Sequence, residues 1–323
     1  MSIASDELVQ LRILQRQYLQ LVEPSQLRWP DAQVLMRPEM QAWIFLHMFD
    51  ESSIKSPPPE RYQLRVLKLL IAKLERSIVD PEEDVRFPIS SSRLCGILTT
   101  RLRLRCSYCS NMILISSATL RFHYLQLLTA CFLIVQEISD DLMSAMSTLL
   151  TSNVPSEADS AQQKAFVTYS YPLHSADDCT SEEQAVTLLE ARSVISGSGT
   201  TGLRTWEAAL LLGSYLNSED GRGMIKGKRV FEVGAGTGVI SILCAKHLGA
   251  AGVVATDGDE AVVDAIKTNL FLNGLDVDNS EGCQVRTAAL KWGWPVDATA
   301  FSEDYGMEVP NVLLGADVVS ASS

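Results

Sequence analysis

The feature that most constrains the fold is a glycine-rich turn between two apolar segments. Arg229–Val233 predicts a short buried strand, Gly234–Gly238 (Gly-Ala-Gly-Thr-Gly) predicts a tight turn, and Val239–Leu248 predicts an apolar helix. Glycines suit such a turn because the backbone must bend sharply and let a ligand approach without an intervening Cβ. A strand, a glycine turn and a helix in this order are typical of the first half of a nucleotide-binding α/β unit.

The alternation of strands and helices continues towards the carboxyl terminus. Gly252–Thr256 predicts a second strand, Ala261–Leu272 a helix, Gln284–Ala288 a weaker third strand and Asn311–Gly315 a fourth. Strands that alternate with helices form a parallel, doubly wound sheet, and such sheets bind ligands at the carboxyl ends of their strands. We therefore expect an α/β fold with a Rossmann-like, doubly wound sheet.

The residues around the turn discriminate between nucleotide ligands. A dinucleotide fingerprint places its third glycine where this chain has Val239, and here that glycine comes one residue early, at Gly238. Glu232 precedes the turn, and a carboxylate there is unfavourable beside a pyrophosphate but suits a cationic ligand without phosphate, such as S-adenosylmethionine. Asp257, which follows the second predicted strand, can accept hydrogen bonds from a ribose diol, although dinucleotide folds place an acid there too.

Two segments resemble a known enzyme family. Glu232–Gly238 resembles the first motif of class I, seven-strand methyltransferases. Gly199–Ala209 (Gly-Thr-Thr-Gly-Leu-Arg-Thr-Trp-Glu-Ala-Ala) is more specific, and it resembles the protein-lysine methyltransferases of the family sixteen type, in particular those that modify elongation factor 2. The resemblance covers roughly residues 160–319 well and the N-terminal part loosely. It implies methyl transfer from S-adenosylmethionine to a lysine of a protein partner, expected to be elongation factor 2.

The resemblance also implies a site. The expected cofactor-binding residues are Trp206, Glu232, Gly234, Ala235, Gly236, Gly238, Asp257, Trp292 and Ala316. Asp317 is the expected catalytic residue, which would capture and orient the lysine, because a nearby carboxylate favours the ammonium and raises its pKa. Ordinary structural alternatives are a core aromatic for Trp206, a satisfied structural carboxylate for Glu232 and a strand cap for Asp317. Trp294 is the alternative to Trp292.

Two positions depart from the family pattern. Lys291, before Trp292, stands where the family usually has an acidic residue, which weighs against a side-chain contact to the adenine amine. After Asp317 the family continues to an aromatic residue, whereas this chain has Val318. The fourth predicted strand also lies close to Ser323, and a seven-strand enzyme has three more strands. We therefore expect a C-terminally truncated methyltransferase domain with an exposed strand edge and weak or absent activity.

Composition divides the chain into four regions. They are a helical N-terminal region at 1–84, an anomalous insert at 85–136, a linker and approach segment at 137–200, and the incomplete S-adenosylmethionine-binding domain at 201–323. The insert lacks Asp and Glu altogether. We interpret its apolar run Tyr124–Val135 as a buried helix or strand, and the alternative is that the segment is non-native sequence such as a retained intron. Within the approach segment, 166–172 predicts a strand and 181–192 predicts a helix.

The overall composition excludes several classes of protein. A net charge of −12 weighs against a nucleic-acid-binding face, and no charge-free run reaches the roughly 18–20 apolar residues that a bilayer span requires. The scattered cysteines indicate a reducing compartment, and the pair Cys106 and Cys109 lacks the second pair that a metal site needs. We expect a cytoplasmic enzyme without metal, membrane or nucleic acid. The alternatives are an inert methyltransferase-fold binding protein and, disfavoured by Val239, an NAD-dependent oxidoreductase.

Overall fold

Two main hydrophobic cores organise the protein, one among N-terminal helices and one around a parallel sheet. The computed structural model describes residues 3–78, 137–171, 184–192, 200–275 and 283–318. The insert at 85–136, with its pair Cys106 and Cys109, lies outside the described residues, so both interpretations of it stay predictions.

The first core is built by helices. The helices of this part are α1 (Ser5–Leu19), α2 (Ala32–Leu35), α3 (Pro38–Ile44), α4 (Glu60–Glu75), α5 (Asp140–Thr151) and α6 (Glu157–Gln162). Leu11 and Tyr18 of α1 are fully buried on one face, as the spacing of apolar residues predicts. Leu142 of α5 enters the same core, and the side-chain oxygen of Gln41 accepts a 2.7 Å hydrogen bond from the backbone N–H of Ser139. The first part of the predicted linker is therefore a helix packed in the bundle.

The second core surrounds a four-stranded parallel sheet. The strands of the chain are β1 (Lys164–Tyr171), β2 (Gln184–Ala191), β3 (Arg229–Glu232), β4 (Gly252–Asp257), β5 (Gln284–Ala289) and β6 (Val312–Leu314). Strands β3 to β6 are parallel and lie in the order β5-β4-β3-β6. The chain adds β4 and β5 on one side of β3 and then places β6 on the other side. This order confirms the doubly wound, Rossmann-like fold and puts its switch point between β3 and β6.

Helices cover both faces of this sheet. They are α7 (Glu207–Leu216), α8 (Glu219–Ile225), α9 (Val239–Lys246), α10 (Glu260–Leu272) and α11 (Phe301–Tyr305). Val230 and Val253 face α9 and α10, whereas Phe231 and Val254 face the opposite side and pack against Phe301 of α11. Strands covered on both faces are largely apolar, which explains the consecutive apolar residues Val253–Ala255 of β4.

An antiparallel hairpin, β1 with β2, lies outside the parallel sheet. The strand predicted at 166–172 is confirmed by β1. The helix predicted at 181–192 is wrong, because the described part of that segment is β2. Val186, Leu188 and Glu190 are buried at every second position of β2, which is the period of a half-buried strand.

The outer edge of β2 has no neighbouring strand among the described residues, and two asparagines bind it instead, one in α10 and one directly after that helix. Asn273 accepts a hydrogen bond from the N–H of Thr187 at 3.1 Å and donates one to the carbonyl of Thr187 at 2.6 Å. Asn269 accepts from the N–H of Leu189 at 2.8 Å. Both asparagines are buried, and a buried amide is stable when its donors and acceptors are paired.

The strand β6 forms one edge of the parallel sheet, with β3 as its one neighbour among the described strands. Its Leu313 is 66% exposed. Over the described ranges, no helix is long and apolar enough to cross a bilayer. In the same ranges, no group of three His, Cys, Asp or Glu side chains could hold a metal ion.

Candidate functional site

A pocket of about 520 Å³ opens at the carboxyl ends of β3, β4 and β6, which is the switch point of the sheet. Its volume lies in the range of small-molecule sites. The predicted residues that line it together are Trp206, Gly234, Gly236, Asp257, Trp292, Ala316 and Asp317. Three other predicted residues, Glu232, Ala235 and Gly238, are buried outside the lining. The structure therefore brings most of the predicted set to one cavity.

The glycine turn forms the floor of the pocket. Gly234 and Gly236 have φ angles of +60° and +55°, in the left-handed region that favours glycine. A Cβ on Gly234 would also lie 2.6 Å from a side-chain carbon of Val318, so this position has no room for a larger residue. Gly238 has a φ of +81°, and a Cβ at this position would lie 3.0 Å from a side-chain carbon of Ile266 in α10. Its role is to begin α9 and let α10 approach.

Asp257 at the end of β4 holds the turn in place. One carboxylate oxygen accepts a 3.0 Å hydrogen bond from the N–H of Gly236, and the other accepts a 3.2 Å bond from the N–H of Asp259. An ionised carboxylate has about four acceptor positions, so two of these bonds leave capacity for ligand hydroxyls. Asp257 can therefore fix the turn and bind a diol at the same time.

Glu232 lies behind the pocket and not in it. Its side chain is 3% exposed, and one oxygen accepts hydrogen bonds from the backbone N–H (2.9 Å) and the hydroxyl of Ser241. Burial raises the pKa of Glu232 to about 7, the two bonds from Ser241 act in the opposite direction, and the nearby charge of Asp257 adds to the increase. The burial of Glu232 agrees with the structural alternative for this carboxylate, and its contact with a ligand stays a prediction.

Two tryptophans line the pocket from different loops. Trp206 stands directly before α7, and its indole N–H donates to the carbonyl of Thr201 at 3.3 Å. Trp292 is 75% exposed and lies beside Leu290 in the lining. Trp294 is outside the lining, and the ammonium of Lys291 lies 5.7 Å from its ring centre. Of the two tryptophans in this segment, Trp292 is the one at the pocket.

Asp317 follows β6 in an unusual backbone conformation. Its φ is +56°, and among non-glycine residues Asp and Asn tolerate this region best because their short polar side chains can bond locally. Ala316 and Val318 on either side also line the pocket. The end of β6 thus presents a carboxylate to the cavity next to the turn that follows β3.

The charge of the pocket is negative. Asp257, Asp259 and Asp317 line it, whereas no Lys, Arg or His in the described part of the chain does so. Like charges repel and opposite charges attract most strongly where water is partly excluded. The cavity therefore favours cationic ligands and disfavours polyphosphates.

The sequence-based list missed about half of the lining. The missed residues are Thr200, Thr201, Gly202, Val233, Gly258, Asp259, Leu290 and Val318. The first three belong to Gly199–Ala209, the segment with the more specific family resemblance, in which Trp206 is the one predicted site residue. A Cβ on Gly236 would lie 3.3 Å from the carbonyl oxygen of Gly202, so this segment packs directly on the glycine turn. The remaining ones are neighbours of predicted residues.

The sheet order, the glycine turn after β3 and the acid that ends β4 are consistent with the Rossmann-like fold of a class I methyltransferase. Comparison with known proteins gives a narrower assignment. A family model described as lysine methyltransferase matches residues 173–322. The protein-lysine N-methyltransferase EFM3 of Chaetomium thermophilum is 36% identical over 302 residues, which cover 94% of this chain and 71% of that protein. This chain therefore belongs to the lysine methyltransferase family.

Further relatives match over a shorter stretch. EFM3 of Saccharomyces cerevisiae is 32% identical over 152 residues, or 42% of this chain and 41% of that protein. The human protein-lysine N-methyltransferase EEF2KMT is 29% identical over 140 residues, or 42% of this chain and 40% of that protein. Members of the family are enzymes that methylate protein lysines, and class I methyltransferases in general use S-adenosylmethionine.

Proposed function

We propose that this chain is an S-adenosylmethionine-dependent protein-lysine N-methyltransferase that acts on elongation factor 2. The observation that carries the proposal is the set of three carboxylates, Asp257, Asp259 and Asp317, in a pocket with no basic side chain from the described residues. S-adenosylmethionine carries a sulfonium and an ammonium group and no phosphate, so these carboxylates favour it. The pyrophosphate of a dinucleotide would be repelled by the same groups.

The lining residues divide the recognition of such a ligand between them. Asp257 would bind the ribose hydroxyls with the acceptor positions that Gly236 and Asp259 leave open. Trp292 and Leu290 would flank the adenine, where stacking on an aromatic ring contributes about 1–3 kcal/mol by analogy with bound bases. When bound, S-adenosylmethionine supplies an activated methyl group.

Asp317 would receive the lysine of the protein substrate. A carboxylate stabilises the ammonium form and raises its pKa, so Asp317 attracts and orients the side chain and does not deprotonate it. A free lysine titrates near 10.4, and its proton would pass to water before the neutral amine attacks. Alignment of the amine and removal of its solvent then account for most of the catalysis.

The role of Asp317 is tested by two substitutions that separate charge from backbone. Asn tolerates the left-handed φ of +56°, whereas Ala does not. Asp317→Asn therefore removes the charge alone, and Asp317→Ala removes the charge and also disfavours the backbone conformation. We expect both variants to lower the methylation rate on the order of a hundredfold, as misalignment does, with a much smaller loss of S-adenosylmethionine affinity in calorimetry. Asp304→Asn, at an exposed position of α11, is the matched control. Equal losses of rate and affinity in Asp317→Asn would contradict the role.

The substrate is tested by transfer of tritiated methyl groups to purified elongation factors. The name of EEF2KMT supports elongation factor 2. A mouse relative named EEF1A lysine methyltransferase 3, 36% identical over 116 residues, makes elongation factor 1A the competitor. We expect incorporation into elongation factor 2 and none into elongation factor 1A. The reverse result would reassign the substrate but keep the enzyme class.

The cofactor is tested separately, by calorimetry with S-adenosylmethionine and NAD on the same preparation. We expect heat of binding with S-adenosylmethionine alone. Binding of NAD and no binding of S-adenosylmethionine would refute the proposed enzyme class.

We also propose that the enzyme acts in the cytoplasm, a reducing compartment, which the free thiols of Cys244 and Cys283 support.

A further inference from the structure

Two walls of the pocket meet at a buried hydroxyl pair. One wall is the loop Thr200–Trp206, which supplies four lining residues, and the other is the glycine turn after β3. The hydroxyl oxygens of Thr205 in the loop and Thr237 in the turn are 2.6 Å apart. Thr237 is 3% exposed, so water cannot replace this contact easily.

The pair ends on a buried carboxylate of the hairpin. Thr205 donates its hydroxyl to one oxygen of Glu190 at 2.6 Å and its backbone N–H to the other at 3.3 Å. Because the proton of Thr205 points to Glu190, the oxygen of Thr205 accepts from Thr237, which gives the chain of bonds one direction. Tyr169 of β1 adds a donor to Glu190 at 3.5 Å. Glu190 is 4% exposed and does not line the pocket.

Asn269 links the same glycine turn to Leu189, the residue before Glu190 in β2. The amide of Asn269 donates to the carbonyl of Thr237 at 2.9 Å, and its oxygen accepts from the N–H of Leu189 at 2.8 Å. Thr237 is thus held through its hydroxyl and through its carbonyl. Both connections lead to consecutive residues of β2, Leu189 and Glu190.

We propose that Glu190, Thr205, Thr237 and Asn269 are positioning residues that fix the loop Thr200–Trp206 against the glycine turn and so set the width of the cofactor pocket. The inference rests on the proposed function for the identity of the ligand. A buried carboxylate is unfavourable unless it is well paired, and in surroundings of low polarity each bond of a satisfied chain strengthens the next. Glu190 touches no part of the pocket, so its contribution passes through Thr205 and Thr237.

The test removes one hydroxyl without changing the shape of the side chain. Thr237→Val deletes the donor to Thr205, and Thr237→Ser restores it. Thr168→Val is the matched control, because Thr168 and Thr187 form a similar hydroxyl pair at 3.0 Å within the hairpin, away from the loop. Calorimetry with S-adenosylmethionine and amide hydrogen exchange of the free full-length chain are measured for all four proteins.

We expect Thr237→Val to weaken S-adenosylmethionine binding about tenfold, which is the upper range for one buried hydrogen bond. Amide exchange should accelerate in Thr200–Trp206 and not in the sheet. Thr237→Ser should recover both values, and Thr168→Val should change neither. Unchanged affinity in Thr237→Val, with or without faster exchange, would overturn the inference. If the wild-type protein binds no S-adenosylmethionine but the exchange rates separate as expected, the proposed function fails and the coupling of the two walls stands.

Discussion

Replacement of Glu232 by Gln should change how the stability of the protein depends on pH. Burial raises the pKa of Glu232 in the folded protein to about 7, whereas the usual value is 4.5. Between these two pH values the unfolded chain has lost a proton that the folded chain still holds, so the free energy of unfolding falls as pH rises. The interval between 4.5 and about 7, at about 1.4 kcal/mol per pH unit, amounts to about 3 kcal/mol.

Glutamine has nearly the same shape and does not ionise, and its oxygen can accept both hydrogen bonds that Ser241 donates to Glu232. Urea unfolding of wild type and Glu232→Gln at pH 4.5, 6 and 7.5 gives the free energy at each pH. The difference in free energy between the two proteins reports the titration of Glu232 alone, because other groups with a raised pKa, such as Glu190, are present in both. We expect this difference to shift by about 3 kcal/mol in favour of the variant from the lowest to the highest pH. Parallel curves would refute the reasoning.

Two further predictions concern the lining and the turn. Trp292→Ala should weaken S-adenosylmethionine binding by about 1–3 kcal/mol in calorimetry, whereas Trp294→Ala, outside the lining, should leave it unchanged; an equal effect of both would contradict the assignment. Gly234→Ala should lower the free energy of unfolding by more than about 1 kcal/mol, because φ is +60° and the new Cβ would lie 2.6 Å from a neighbouring side chain. Gly223→Ala, in α8 with no atom within 4 Å, should instead stabilise the protein by roughly 0.5–1 kcal/mol, and a destabilised Gly223→Ala would show that the comparison is invalid.

The parallel sheet could be predicted because each of its elements has a local signal. The consecutive apolar residues Val253–Ala255 of β4 are typical of a strand covered on both faces. The strand β2 could not be predicted, since Glu190 occupies an inward position where alternation requires an apolar residue. Glu182 and Glu183 before it are also typical of a first helical turn. The carboxylate that concealed the strand is the one that binds Thr205.

The site could be predicted in outline but not in the direction of its side chains. Successive residues of an extended strand point to opposite sides, so Val233 lines the pocket whereas Glu232 lies behind it. Spacing in the sequence does not reveal which of two neighbours faces the cavity. Asp259 was missed for a related reason, because its position depends on a local turn in which its N–H binds Asp257.

Asn269 of α10 and Asn273, directly after that helix, also determine how the hairpin meets other molecules. An uncovered strand edge is a template on which another chain can add a strand and start aggregation. Asn273 binds the N–H and the carbonyl of Thr187, and Asn269 binds the N–H of Leu189, which are groups that such a chain would need. Mutation of either asparagine would leave backbone groups of β2 unpaired, which should lower the stability of the fold and also open this edge to a strand of another chain.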